Sequence, residues 1–149
     1  MAAKDCALFM WAVDPLLPDA FALMKAWGFE FKTVAFYWVK TNRKSPGYST
    51  GLGYWTRANP ETCLLGVRGK PKRLAKDVHR LIVAPRREHS RKPDEQYGRI
   101  ERLVEGPYLE CFARQTWPGW DVFGNQTGKF GVLTDGEQLP LTYERGTEL

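Results

Sequence analysis

The sequence predicts an α/β protein with a mostly parallel sheet and ligand sites outside the carboxyl ends of its strands. Three observations lead there. Apolar runs of strand length recur along the chain, and stretches with helical start and stop signals separate some of them. Several runs are also unbroken rather than alternating, as in strands covered on both faces.

The first run, Cys6–Ala12 (CALFMWA), is such a strand. Pro18 then opens a helix over residues 18–27; Asp19 suits the positive end of the helix dipole, and Gly28 follows as a stop. Residues 31–40 (FKTVAFYWVK), rich in β-branched and aromatic side chains, read as a long strand. Residues 41–60, dense in Gly, Ser, Asn, Thr and Tyr, read as a long loop with a short ordered piece at 54–57. A loop of that length is functional or mobile. Residues 61–67 (ETCLLGV) form another strand, Gly69-Lys70-Pro71 a turn, and residues 81–84 (LIVA) a short strand closed by Pro85. A helix is expected over 93–104. Pro93 fits its first position, Asp94 and Glu95 favour its positive end, and Tyr97, Ile100 and Val104 share one stripe. Gly106-Pro107 ends it. Residues 108–112 (YLECF) are a further strand, 114–123 a loop, and the polar, aperiodic 131–149 a tail with room for one short strand.

Composition narrows the class. The chain of 149 residues is 43% hydrophobic and 26% charged, enough for one core. Six Trp, six Tyr and eight Phe argue against intrinsic disorder. No apolar run approaches the roughly 20 residues of a membrane span, and no signal peptide is read. Cys6, Cys63 and Cys111 are odd in number and widely spaced, which disfavours a disulfide framework or a zinc site and makes a reducing cytoplasm the expected location.

The net charge of +5 is uneven. Residues 68–92 hold ten Lys/Arg against Asp77 and Glu88, a net +8, which leaves −3 for the rest. Such a block suits a polyanionic partner or, equally, a solvated face. Trp55-Thr56-Arg57-Ala58-Asn59 joins an aromatic, a cation and an amide, a set fit for base stacking and phosphate contact or for a packed loop hinge. Lys92-Pro93-Asp94-Glu95 places a cation just ahead of a helix start, where a carboxylate or phosphate is held, although ordinary helix-start chemistry looks the same. Phe112-Ala113-Arg114, Trp117-Pro118-Gly119-Trp120 and Gly124-Asn125-Gln126 bring an Arg, aromatics and two amides behind a strand; amides read an adenine edge and Arg holds ribose hydroxyls or a carboxylate, while Trp-rich loops also plug cores. Gly51-x-Gly53 lacks the third glycine of a dinucleotide fingerprint, and His79 and His89 are too isolated for a catalytic pair or metal site.

The strings CALFMWAVDPLLPDAFALMKAWGF, FKTVAFYWVKTN, GLGYWTRANPETCLLGVRGKP, APRREHSRKPDEQYGRIERLVEGPYLECFAR and PGWDVFGNQ resemble the adenine amino-methyltransferases related to the eukaryotic mRNA adenosine methyltransferase, in particular their short bacterial and phage members. The resemblance spans about residues 4–130. It implies a methyltransferase-like domain over 1–130 and a C-terminal tail over 131–149, with a Rossmann-like sheet. It implies S-adenosyl-L-methionine as cofactor and the exocyclic amine of adenine in DNA or RNA as acceptor. By the family's pattern Lys92 pairs with the methionine carboxylate, Phe112 belongs to the cofactor site, Arg114 and Asn125 hold ribose hydroxyls, and Gln126 lies near the nucleoside. Nucleic-acid contacts are expected at Trp55, Arg57, Lys70, Lys72, Arg73, Arg86 and Arg87.

The family's catalytic motif, Asp-Pro-Pro-aromatic, holds the target amine by its hydrogens, and it does not occur in these 149 residues. Asp14-Pro15-Leu16-Leu17 is not a degenerate copy, because the string around it resembles the family's following strand and helix start. The motif is therefore expected upstream of Met1, the sheet is expected to be incomplete on its N-terminal side, and an unpaired sheet edge to invite self-association. No catalytic residue is assigned to the chain, and it is not expected to methylate adenine alone. The alternative is a non-catalytic nucleic-acid-binding module of the same fold.

Overall fold

Residues 2–130 are described in a computed structural model. The chain divides into two compact units, residues 1–105 and 106–149. The expected tail over 131–149 lies outside the described residues.

The unbroken apolar runs become strands of a four-stranded sheet in the first unit. They are β1 (Cys6–Ala12), β2 (Glu30–Thr41), β3 (Glu61–Arg68) and β4 (Leu81–Pro85), ordered β1-β3-β2-β4. The composition of β1 follows from cover on both faces, whereas β4 leaves Leu81 and Val83 exposed and buries Ile82 between them. On one face Cys6, Leu8, Met10 and Ala12 of β1 join Leu64 and Val34 around Met24 and Phe29. Met24 comes from helix α1 (Leu17–Ala26), reached through a 3-10 turn at Asp14–Leu16. The alternate residues of β1 serve the other face: Phe9 stacks on Phe36, and the Trp11 indole donates to Gln96 of helix α2 (Glu95–Leu103) at 2.6 Å. Gly66 lets α1 approach, since a Cβ there would meet the Met24 sulfur at 2.7 Å. Gly28, at φ +80°, stops α1 as its position suggests, with its amide donating to the Lys25 carbonyl.

The sheet is mixed rather than mostly parallel. β1 and β2 run the same way, as a connection through α1 requires, but β3 lies between them antiparallel to both; only β4 pairs parallel, with β2. The chain returns from β2 to β3 through the long loop, with no crossover helix to force a parallel strand. Two isolated bridges, Thr41↔Tyr48 and Gly51↔Ala58, give that loop order, and the second encloses residues 54–57.

α2 starts later than expected. Asp94 makes no side-chain cap and instead pairs with Arg87 at 2.6 Å. In the second unit β5 (Tyr108–Cys111) and β6 (Trp120–Phe123) pair in parallel, with Tyr108 stacked on Trp120. Residues 120–123, expected in a loop, are thus a strand. A run of only four residues behind Pro-Gly carries no periodicity of its own, and its partner β5 makes it a strand.

Candidate cofactor and nucleic-acid site

The carboxyl ends of β1, β2 and β4 and the start of antiparallel β3 share one end of the first unit's sheet, which brings four sequence-distant side chains together. Glu61, first in β3, takes Lys92 on one carboxylate oxygen and Lys40, near the end of β2, on the other at 3.3 Å. Each of the three side chains is about one-fifth exposed. The Lys92 ammonium also lies 5.7 Å from the centre of the Trp11 ring, and Lys40 stands 5.8 Å from the Trp38 ring. Trp11 is oriented in turn by its bond to Gln96, and Trp38 by donating to the Ala84 carbonyl at 3.0 Å.

The electrostatics follow from this packing. Burial by itself would raise the Glu61 carboxyl, but hydrogen bonding and charge from Lys92, then Lys40, outweigh it and hold the group below the ordinary 4.5. Burial pushes the neighbouring Cys63 thiol well up, against the opposing charge of Lys92, so it stays neutral. Two ammonium groups around one carboxylate leave the cluster at +1, which suits it to a ligand carboxylate. Lys92 carried a sequence signal, the following Pro-Asp-Glu. Lys40, Glu61, Trp11 and Gln96 were missed; the sole mark of the first three is that lone polar or aromatic residues stand at the ends of apolar strands, and Gln96 lies in the first turn of α2 with no mark of its own.

In the second unit the expected residues again follow the carboxyl ends of strands. Phe112 leaves β5 at φ +60° and is 73% exposed. The Ala113 amide donates to the Phe123 carbonyl at 3.1 Å, and a Cβ on Gly124 would sit 3.2 Å from Ala113. Residues 112–113 and 123–124 therefore lie side by side. Arg114 is half-buried, its carbonyl accepting from the Phe130 amide, while Asn125 and Gln126 are exposed.

The basic block divides. Arg87 is held by Asp94, Arg91 by Glu88 at 3.3 Å, and Lys92 by Glu61. Lys70, Lys72 and Arg73 are exposed on a segment pinned by the Lys70 amide donating to Asp5 and by Asp77 bridging to Arg102 at 2.8 Å, and Arg86 is exposed just after β4. Trp55 and Arg57 are exposed on the long loop. Among the described residues no group of three or more His, Cys, Asp or Glu is placed to hold a metal ion, and no helix is long and apolar enough to cross a membrane.

An α/β sheet with polar groups gathered outside its strand ends defines a broad class, and comparison with known proteins narrows it. The sequence profile of the MT-A70 family matches residues 1–126. The chain is 34% identical over 142 residues to the Type II methyltransferase M.MunI of a Mycoplasma species, covering 92% of this chain and 58% of that protein. It is 37% identical over 134 residues to human METTL3, the N(6)-adenosine-methyltransferase catalytic subunit, covering 87% of this chain and 23% of that one. An Arabidopsis thaliana N(6)-adenosine-methyltransferase MT-A70-like protein is 33% identical over 136 residues, 89% of this chain and 20% of its own. The chain belongs to the MT-A70 family. It spans less than two thirds of the length of these relatives.

Proposed function

We propose that this chain is the cofactor-holding and nucleic-acid-gripping part of an S-adenosyl-L-methionine-dependent methyltransferase acting on the exocyclic amine of adenine in DNA or RNA. The observation that carries the reading is the Lys40–Glu61–Lys92 cluster at the strand ends of an MT-A70 chain. Its +1 charge fits the methionine carboxylate, with Lys92 as the direct contact and Glu61 and Lys40 fixing its position. On this reading Arg114 and Asn125 offer the polar groups that ribose hydroxyls need, Gln126, next to Asn125 in sequence, serves the nucleoside, and the exposed Phe112 offers a face to an adenine. The cofactor, when bound, supplies an electrophilic methyl group.

The acceptor is gripped by Lys70, Lys72, Arg73 and Arg86 on its phosphates and by Trp55 and Arg57 on the long loop. Arg87 joins them only by giving up Asp94. The chain lacks Asp-Pro-Pro-aromatic, so no residue of its own accepts the amine hydrogens. The sheet, on this reading Rossmann-like, is open where that motif would enter. Among the described residues β1 pairs on one side only, with β3. At the opposite edge Arg99 donates to the Leu81 carbonyl of β4 at 2.8 Å and guards it. The open β1 edge is where self-association would begin. Three free thiols fit a reducing cytoplasm. A non-catalytic module is the weaker reading, since the relative human METTL3 is itself named a catalytic subunit.

The test is methyl transfer from labelled S-adenosyl-L-methionine to adenine-containing DNA and RNA. The chain alone should give none, and addition of an N-terminal segment carrying Asp-Pro-Pro-Trp should restore it. Transfer by the bare chain would give Asp14 the catalytic role after all; none from the extended chain would leave the non-catalytic module.

A further inference from the structure

We propose that Tyr54 and Trp55 form a fixed stacking platform for unpaired bases, so that the polyanion gripped by this chain is locally single-stranded. The proposal rests on the nucleic-acid reading above and goes on to name the state of the substrate.

The two rings are 84% and 90% exposed, and their centres stand 6.5 Å apart in an edge arrangement. Exposed aromatic side chains at the tip of a floppy loop mean little, but this tip is built. The Gly51 amide donates to the Ala58 carbonyl at 2.7 Å, and the Thr56 amide to the Tyr54 carbonyl at 2.9 Å. Gly53, at φ +75°, lies so close that a Cβ would meet the Thr56 carbonyl oxygen at 2.0 Å. Trp55 itself holds a left-handed φ of +69°, a conformation that persists only where its surroundings enforce it. At the loop's base the Asn59 side chain acts as a clamp. It accepts from the Lys40 amide at 2.9 Å, donates to the Lys40 carbonyl at 2.8 Å, and donates also to the Ser49 carbonyl. The fold thus commits backbone strain and a half-buried, hydrogen-bonded amide to hold two rings out in water.

Charge selects the occupant. Residues 41–60 contain Arg43, Lys44 and Arg57 and no acidic residue. A second copy of this chain, itself at +5, would bring like charge to that surface. A polyanion with accessible π-faces suits both features. Stacking on an aromatic needs an uncovered base face, which a duplex buries between neighbouring pairs, and it tolerates any sequence. The clamp also ties the platform to the cationic cluster, because Asn59 pairs with Lys40 and lies two residues before Glu61.

The experiment is anisotropy titration of labelled oligonucleotides, single-stranded and duplex DNA and RNA of one sequence, with the full chain, W55A, Y54A, W55F and the triple variant K70E/K72E/R73E. Vesicles containing phosphatidylserine form a separate arm. Wild type should prefer single strands by at least about tenfold, and W55A should lose roughly 5- to 150-fold on single strands. W55A should lose little on duplex, with its salt slope unchanged and its unfolding midpoint unmoved. W55F should recover most of the loss, and Y54A should lose less than W55A. The triple variant should weaken single strands and duplex alike and flatten the salt slope. If W55A equals wild type, or loses equally on duplex, the platform is wrong while the nucleic-acid reading stands. If wild type binds no oligonucleotide at any salt, both fall. Trp55-dependent binding to vesicles with no single-strand preference would assign the rings to a lipid surface and overturn the proposal.

Discussion

Two groups of lysines and arginines in the first unit look alike in the sequence and differ in structure. Lys70, Lys72 and Arg73 sit on an exposed segment with their charges in water. Lys40 and Lys92 are packed against Trp38 and Trp11 and share Glu61. By position Lys92 belongs to the basic block; by contact it belongs to a cluster whose other members lie 31 and more residues away. Arg87 and Arg91 likewise leave the block for Asp94 and Glu88. A local sum of charge therefore overstates the field that an approaching polyanion meets, and it hides a cluster in which two ammonium groups are fixed around one carboxylate.

Removing the shared carboxylate should break the comparison most strongly. Glu61→Ala leaves two half-buried ammonium groups facing each other with no counter-charge. Breaking a buried pair costs about 3–5 kcal/mol, and with a fifth of each side chain exposed a loss of about 2 kcal/mol is expected. Urea unfolding measures it. Lys72→Ala, in the exposed group, should stay within about 0.5 kcal/mol of wild type. Equal stability of the two variants would mean that the cluster is no more than a surface ion pair.

The next effect is on cofactor binding. Lys92→Met keeps the contact with Trp11 and removes the charge. Its affinity for S-adenosyl-L-methionine by calorimetry should fall by about 1–3 kcal/mol, and Asn125→Ala by about 1 kcal/mol, while Lys72→Met binds as wild type. A Lys92→Met chain with wild-type affinity would take Lys92 out of the site and return it to the basic block.

How much of this was legible in the sequence follows physical lines. Cys6–Ala12 was readable to the residue, because a strand with α1 packed on one face and Phe36 and Gln96 against the other is apolar throughout. Strand direction was not readable. Periodicity reports which face a side chain takes, and says nothing of β3 inserting antiparallel between β1 and β2. Lys92 announced itself through Pro93, Asp94 and Glu95, a local helix-start pattern. Glu61 and Lys40 had no local pattern, because what makes them a site is the meeting of strand ends 21 residues apart in the chain. The stretches 112–114 and 124–126 stood out by residue type and took their individual roles from resemblance, and the pairing of β5 with β6 supplies a reason for residues 112–113 to lie beside 123–124 that the sequence alone did not contain.

A smaller effect concerns the exposed group. Reversing charge at Lys70, Lys72 and Arg73 together should leave the unfolding free energy nearly unchanged, since exposed charges at this spacing are solvated and screened. Oligonucleotide affinity should drop for every sequence alike, with the dependence on salt reduced by about one phosphate contact per residue that touches the backbone. Sequence-selective loss would mean that these residues read bases.

The smallest expected effect is on acid stability, and it separates the two groups by salt. Among the described residues three carboxyls lie below their ordinary range. Glu61 is held there by Lys92 and Lys40 against the opposing effect of burial; Asp77 is lowered first by its hydrogen bond to Arg102; Glu88 is lowered first by a backbone hydrogen bond, then by Arg91. A carboxyl depressed in the folded state contributes stability that is fully present above its unfolded value, near 4.5 for a glutamate, and that is lost as pH falls through the lower folded value. Stability should thus decline below about pH 4.5. Asp77 and Glu88 stand in water, so added salt should erase the charge part of their contribution. Glu61 is half-buried against two rings, so its contribution should survive. Urea unfolding between pH 2.5 and 6 at about 0.05 M and 0.5 M salt should show part of the acid slope persisting at high salt in the wild type. That persistent part should vanish in Glu61→Gln, which has no proton to gain. An acid slope that salt removes completely would place Glu61 with the exposed carboxyls and dissolve the distinction between the two groups.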